Sequence, residues 1–280
     1  MARRLTPKFH ERIWGSTQLE PLFRSPGQKI GEVWLELDGV KLPLLVKFIF
    51  ATDKLSVQVH PDDAYAAQHH NSQGKTEMWH VVAAQPGAQI AAGFRVELTK
   101  ERLRAAALSG EVEHLLEWQD ARVGDTFFLP AGTVHAIGAG LVMCEIQEQS
   151  DITYRLYDYG RGRELHLDHA LEVSHLEPFD PRAEATEGLL VACNHFTTSL
   201  VKVKGAVELP AQRGQFVVVI RGRGRVGGES GGAGDAWFAE SAQVPVEGNM
   251  DLLVAHRPQP YCLASHCLVI SAIVSSGRVV

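Results

Sequence analysis

Apolar positions recur with a period of two along much of the chain, which predicts a mainly β protein. Val33, Leu35 and Leu37 alternate with Glu32, Trp34, Glu36 and Asp38. Leu44 to Phe50 is a nearly unbroken apolar run and predicts a buried strand with a single charge, Lys47. A lysine there is costly unless its ammonium finds a partner or a cavity. Lys47 is therefore either a snorkelling edge residue or a cation lining a pocket for an anionic ligand. Ser56 to His60 predicts a further strand. Successive side chains point to opposite faces, so Val57 and Val59 pack inward on one side while Gln58 and His60 share the other. A buried face with an amide oxygen and an imidazole, stopped by Pro61-Asp62-Asp63, looks like half of a metal site. The alternative is a strand end whose histidine caps a loop.

The pattern continues with a short helix over Asp62 to Gln68 and a polar loop, His69 to Gly74. The His69-His70 doublet lies in that loop and is expected to be solvated. Lys75 to Val82 predicts a strand on which Glu77 and Trp79 share a face, as do Lys75 and Val81. Gln89 to Phe94 predicts another. Thr99 to Leu116 has helical spacing, with Leu103, Ala106, Ala107 and Leu108 on one face and a break at Ser109-Gly110. A second helical segment spans Glu111 to Trp118, and its His114 is expected at the surface. Residues 99–118 are thus a helical insert between strands. Gly124 to Ile137 reads as turn, strand, Pro-Ala-Gly turn and strand. Leu141 to Gln147 is a strand, Leu165 to Val173 a helix, and residues 175–188 a linker. Strands return from Leu189, with Phe216 to Ile220 fully apolar. Arg221-Gly222-Arg223-Gly224-Arg225 lacks the strand-turn-helix setting of a phosphate loop and is expected to be a basic hairpin turn.

Composition narrows the classes. Of 280 residues, 45% are hydrophobic and 21% charged, with a net charge of −6, as in ordinary soluble domains. No basic stripe marks a nucleic-acid surface. The longest apolar run is too short to span a bilayer. Cys144, Cys193, Cys262 and Cys267 form no close-spaced framework, and the start has no secretory signal, so a cytoplasmic protein is expected. A faint internal echo aligns Gly124-Asp125-Thr126-Phe127-Phe128 with Gly234-Asp235-Ala236-Trp237-Phe238. Ten residues beyond each Asp lie His135 and Pro245. Proline cannot ligate a metal, so the N-terminal half is expected to carry the site.

The segments Ser56-Val57-Gln58-Val59-His60-Pro61-Asp62, Gly74-Lys75-Thr76-Glu77-Met78-Trp79, Pro130-Ala131-Gly132-Thr133-Val134-His135-Ala136-Ile137-Gly138 and Glu145 through Ser150-Asp151 to Tyr154-Arg155 resemble, in order and spacing, those of type I mannose-6-phosphate isomerases of the short bacterial branch. The likeness runs from about Trp14 to Arg163, and the second half follows it only in pattern. It implies two cupin-like (jelly-roll) β-barrels: a catalytic, metal-binding half over 1–175, with the helical insert, and a metal-free cupin-like half over 176–280. It implies one Zn²⁺ per chain on Gln58, His60, Glu77 and His135. The family's active-site arginine falls on Arg155, other pocket positions on Lys75 and Glu145, and residues near the substrate on Ser56 and Lys47.

The implied reaction interconverts mannose 6-phosphate and fructose 6-phosphate through a cis-enediol. The partner is then a small phosphosugar, with no nucleic acid and no membrane. Arg155 suits the enediolate or the phosphate, with the enediolate favoured. The base is open between Glu145 and Lys75, and Lys75 alternatively holds phosphate. The competing readings are a metal- or sugar-binding cupin without turnover, and another cupin enzyme such as a cupin-type glucose-6-phosphate isomerase or an iron oxygenase. The stretch beyond His256 does not map onto the resemblance and is read as a last strand.

Overall fold

The computed structural model describes residues 1–183 and 186–258. The last strand expected beyond His256, Cys262 and Cys267 included, lies outside these residues apart from Arg257 and Pro258. Three antiparallel sheets organise what is described. A six-stranded sheet runs Thr6–Ser16, Ile30–Glu36, Leu44–Ala51, Leu141–Glu148, Glu77–Ala84, Thr126–Leu129. A five-stranded sheet runs Tyr154–Tyr157, Val57–Val59, His135–Ile137, Gln89–Phe94, Leu116–Asp120. A seven-stranded sheet is built from Arg3–Arg4 and strands between Leu189 and His256.

Alternation explains how the layers stack. Val46, Phe48 and Phe50 join Val33, Leu35, Met78 and Ile146 on the outer face of the six-stranded sheet. There they meet Phe216, Val218, Phe238 and Leu253 of the seven-stranded sheet. The opposite face carries Ile49, Ala51, Trp79, Val81 and Met143, which pack with Ile90, Ala92 and Ile137 of the five-stranded sheet. The outer face of the five-stranded sheet, with Val57, Val59 and Ala136, is covered by Leu103, Ala106 and Ala107 of the helix Lys100–Ser109 and by Ala170 and Leu171 of the helix Leu167–Val173. Leu44–Ala51 is therefore buried on both faces, which is why its sequence is nearly all apolar. Lys47 shares the inner face with Ile49 and Ala51. Among the described residues no helix is long and apolar enough to cross a membrane.

Several local expectations change. The helix Asp63–His70 reaches two residues further than its pattern indicated, capped by Asp62, whose carboxylate accepts the Tyr65 N–H at 2.8 Å. His69 and His70 thus end a helix rather than lying in a loop, and both are exposed as expected. His69 stacks on Tyr65, and His70 meets Tyr154. Glu111–Trp118 is helical only over Val112–Leu115; Leu116 then starts a strand paired with Gln89–Phe94. Ladder pairing overrides local helical spacing there. Arg221, Arg223 and Arg225 lie on the strand Gln215–Val226, and the turn is made by Gly227 and Gly228, both at positive φ. Where a linker over 175–188 was expected, residues 175–183 strap onto the sheets through bridges from Pro178 to Phe94 and from Arg182 to Phe127.

The Gly-Asp echo corresponds to one repeated turn. Asp125 Oδ2 accepts the Arg122 N–H and Asp235 Oδ2 accepts the Gly232 N–H, both at 2.9 Å. Each Asp then opens a four-residue strand.

His80 lies on the same strand as Glu77 but faces the other way, with Nδ1 3.0 Å from Thr126 Oγ1. Burial pulls its pKa down to about 4. Because the folded value lies below the unfolded value of about 6.5, this histidine's contribution is intact above pH 6.5 and is lost as pH falls toward 4. The cost reaches about 3 kcal/mol at the acid end. His80→Gln is therefore expected to flatten the fall of urea-unfolding stability between pH 6.5 and 4. An unchanged slope would assign that fall to other groups.

Candidate metal centre

The gap between the six- and five-stranded sheets is apolar at one end and polar at the other. At the polar end, Glu77 comes from the six-stranded sheet, while His135 and Gln58 face each other across two paired strands of the five-stranded sheet. His60 follows directly after the strand Val57–Val59. The donor atoms of His60, Glu77 and His135 lie within 4.8 Å of one another, and all three residues are buried.

Backbone carbonyls fix both imidazoles. His60 Nδ1 lies 2.8 Å from Ile152 O, and His135 Nδ1 lies 2.9 Å from Thr133 O. A carbonyl only accepts, so each Nδ1 carries the proton and each Nε2 presents a lone pair. Those lone pairs converge: His60 Nε2 is 3.6 Å and His135 Nε2 3.5 Å from the Glu77 carboxylate. The Gln58 amide nitrogen, a donor, lies 3.3 Å from His135 Nε2, while its Oε1 accepts from the Ser56 hydroxyl at 3.2 Å. Burial holds His60 well below its usual pKa and pulls His135 to about 4, so both are neutral at pH 7.

The turn that delivers His135 depends on Gly132. It sits at φ +88°, and a Cβ there would come within 2.7 Å of the His175 ring.

Three acceptors meeting in a buried pocket need a cation. Glu77 Oε1 is buried with no hydrogen-bond partner. The Lys75 ammonium satisfies only one side, in contact with Glu77 Oε2 and 2.9 Å from His60 Nε2. Two neutral imidazoles and a carboxylate form a mixed N/O donor set of the kind that binds first-row divalent metals. The residues fit a metal on chemical grounds.

Beside them lies a buried ion cluster. Glu145 accepts from the Trp79 indole N–H at 2.9 Å and lies 3.1 Å from Lys47 Nζ and 3.4 Å from Lys75 Nζ. Lys47 also reaches Glu32 at 3.4 Å, and Arg12 pairs with Glu32 at 2.5 Å. Burial opposes ionisation of Glu145, but Lys47 and Lys75 outweigh it and hold the carboxyl well below its usual range. Burial opposes the charge of Lys47, yet Glu145 and Glu32 push its pKa up. Glu77 is pushed up by burial and by Glu145 nearby.

A cavity of about 330 Å³ opens from this cluster to solvent, within the usual size for small-ligand sites. Lys47, Ser56, Gln58, Lys75, Glu145 and Arg155 all line it. So do Arg12, Trp14, Glu32, Thr153 and Arg163, which the sequence did not single out. The sequence put Glu32 and Trp34 on one polar strand face without saying what that face meets. Arg155 is half-buried; Nη1 donates to Glu164 O at 2.9 Å, and its Nε is buried without a partner. Asp63, Glu148 and His195 form a second donor group. Asp63 is exposed there, and the two carboxylates already hold backbone N–H groups at Gly74 and Thr76.

Comparison with known proteins fits these features. The sequence matches the phosphomannose isomerase type I catalytic domain over residues 17–78, a stretch containing Gln58, His60, Lys75 and Glu77. It is 36% identical over 270 residues to mannose-6-phosphate isomerase ManA of Bacillus subtilis, covering 79% of this chain and 85% of that protein. It is 34% identical over 271 residues to mannose-6-phosphate isomerase of Streptococcus mutans, with the same coverage. The crystal structure of the mannose 6-phosphate isomerase from Bacillus subtilis superposes with a TM-score of 0.80 at 27% identity, over 90% of this chain and 98% of that one. With the fold, the converging donors and these relatives together, the chain belongs to the type I mannose-6-phosphate isomerase family.

Proposed function

We propose that the protein interconverts mannose 6-phosphate and fructose 6-phosphate, moving a proton between C2 and C1 through a cis-enediol. The observation that carries this reading is the convergence of the His60, Glu77 and His135 donors beside the cation-rich cavity of Lys47, Lys75 and Arg155. The isomerisation needs a group that accepts a proton from carbon, an electrophile for the developing oxyanion and a cation for the phosphate.

Gln58, His60, Glu77 and His135 are assigned as ligands of one Zn²⁺ per chain, a metal suited to imidazole and carboxylate donors. When bound it supplies an electrophile that orients the sugar oxygens and favours their anionic form. The remaining roles belong to the chain. Glu145, held ionised between two ammonium groups, is a weak base, and its contacts favour the role of anchoring Lys47 and Lys75. Lys75 faces both the donor cluster and the cavity, which suits it to hold or pass a proton at a sugar oxygen. Arg155, permanently cationic, is assigned to the enediolate, and Arg12 and Arg163 at the cavity wall suit the phosphate. Ser56 orients Gln58 and lines the substrate space. Residues 1–175 are taken as the catalytic half and 176–280 as the metal-free cupin-like half. The mixed charge pattern, with a net charge of −6, suits an enzyme of small phosphosugars, and a cytoplasmic location is part of this reading.

A coupled assay following fructose 6-phosphate formation tests the reading, with glucose 6-phosphate as the competing substrate. Preferential turnover of mannose 6-phosphate is expected. Turnover of glucose 6-phosphate alone, or of neither sugar, overturns it. Arg155→Ala is expected to lower kcat about 100-fold, the scale of one lost oxyanion donor, with KM changed less than about threefold. A rise in KM at constant kcat would move Arg155 to the phosphate.

A further inference from the structure

Glu148 ends the strand Leu141–Glu148 and is 2% exposed. One carboxylate oxygen, Oε2, accepts the Thr76 N–H at 2.8 Å, and the Glu148 N–H donates to Thr76 O at 3.1 Å. Thr76 lies between Lys75 and Glu77, so this clamp fixes the backbone that presents both. Two residues earlier, Asp63 Oδ1 accepts the Gly74 N–H at 2.8 Å. Gly74 leaves no room for a side chain: a Cβ there would lie 2.5 Å from the Asp62 carbonyl carbon. The segment Gly74–Glu77 is thus held by two carboxylates.

Both carboxylates face one imidazole from the other half of the chain. His195 Nδ1 is 2.9 Å from Glu148 Oε1 and 3.9 Å from Asp63 Oδ2. His195 sits in the turn between the strands Leu189–Ala192 and Thr197–Leu209. That turn is closed by the Cys193 N–H donating to Phe196 O at 3.0 Å, and Phe196 is buried in the apolar layer between the sheets. Burial pushes the Glu148 carboxyl up, and the Thr76 N–H and His195 oppose that shift. Glu148 Oε1 makes no aligned hydrogen bond, and the His195 imidazole 2.9 Å away is what faces it besides Asp63; without that imidazole two carboxylates would face each other, which favours a rotation that releases Thr76.

We propose that His195 is a positioning residue for the metal centre: an imidazole supplied by the C-terminal half that, by its close approach to Glu148, holds Gly74–Glu77 and so sets Lys75 and Glu77. The inference rests on the proposed reaction only for its kinetic readout. It also gives the metal-free half a part in the site, since that half would supply the outer support of a ligand-bearing strand.

The test compares His195→Ala and His195→Asn with wild type. Asparagine Nδ2 takes the place of the imidazole Nδ1–H. The His195 side chain is 28% exposed, so truncation opens a surface gap rather than a core cavity. Zn²⁺ retention against a chelator, kcat, KM and the melting temperature of the metal-free protein are measured. His195→Ala is expected to weaken Zn²⁺ retention and lower kcat about tenfold or more, the range for outer supports of a metal ligand. KM stays within about twofold, while His195→Asn recovers most of the loss. Unchanged Zn²⁺ retention in His195→Ala, an equally impaired His195→Asn, or a loss accounted for by a lower melting temperature of the metal-free protein would each overturn the proposal. If wild type binds Zn²⁺ but does not turn over mannose 6-phosphate, the reaction is wrong, and the retention ratio still decides the role of His195.

Discussion

His135→Ala is expected to abolish Zn²⁺ retention and to lower isomerase activity by more than about 100-fold. The loss should exceed the 10- to 100-fold typical of groups that only support a metal ligand. His135 is 1% exposed, and its Nε2 points at the Glu77 carboxylate. Alanine removes that donor while the strand keeps its backbone pairing to Gln58 and Ala92. The fold should therefore survive, as far-ultraviolet circular dichroism can check. The pH profile of retention in wild type carries a second expectation. A metal competes with protons for neutral imidazole. Burial holds His135 at about 4, so proton competition there should set in well below pH 6.5. Retention that halves near pH 6.5 in wild type and in Glu77→Gln alike would mean that the imidazoles titrate like exposed ones, since the Glu77 carboxyl, pushed up by burial and by Glu145, is the other ligand that competes for protons.

Lys47→Met is expected to cost about 3–5 kcal/mol of stability, the range for removing one partner of a buried ion pair. Methionine preserves much of the side-chain volume, so the loss reports charge more than packing. Lys47 is buried 3.1 Å from Glu145 and 3.4 Å from Glu32. Its removal leaves two buried carboxylates with less compensation. Urea unfolding of the metal-free protein measures the loss. Lys47→Met combined with Glu145→Gln should cost less than the sum of the single changes, by about 1–3 kcal/mol. Additive losses would mean that Lys47 acts through packing rather than through its partner.

The reason Lys47 stands out in the sequence is also the reason part of the site could be read there. A charge inside an apolar strand demands a polar cavity, and the strand Leu44–Ala51 has one on its inner face. Gln58 and His60 were legible for the same reason, because period-two alternation ties face to position. The Gly-Asp echo was legible because a turn is local, and the structure repeats it hydrogen bond for hydrogen bond at Asp125 and Asp235. Arg12, Glu32 and Arg163 were not legible. They reach the cavity through sheet pairing across distant segments, and alternation alone does not say whether a polar face meets water or a site. His69 and His70 were misplaced by a helix end, and Leu116 to Trp118 by ladder pairing. His195 could not be seen from sequence, since it acts across the two halves through Glu148.

The most direct test of the central claim is turnover of mannose 6-phosphate before chelation, after chelation and after return of Zn²⁺. Activity is expected to disappear with the metal, to return with Zn²⁺ in wild type, and not to return in His135→Ala. Full activity in protein shown by elemental analysis to be metal-free would contradict it.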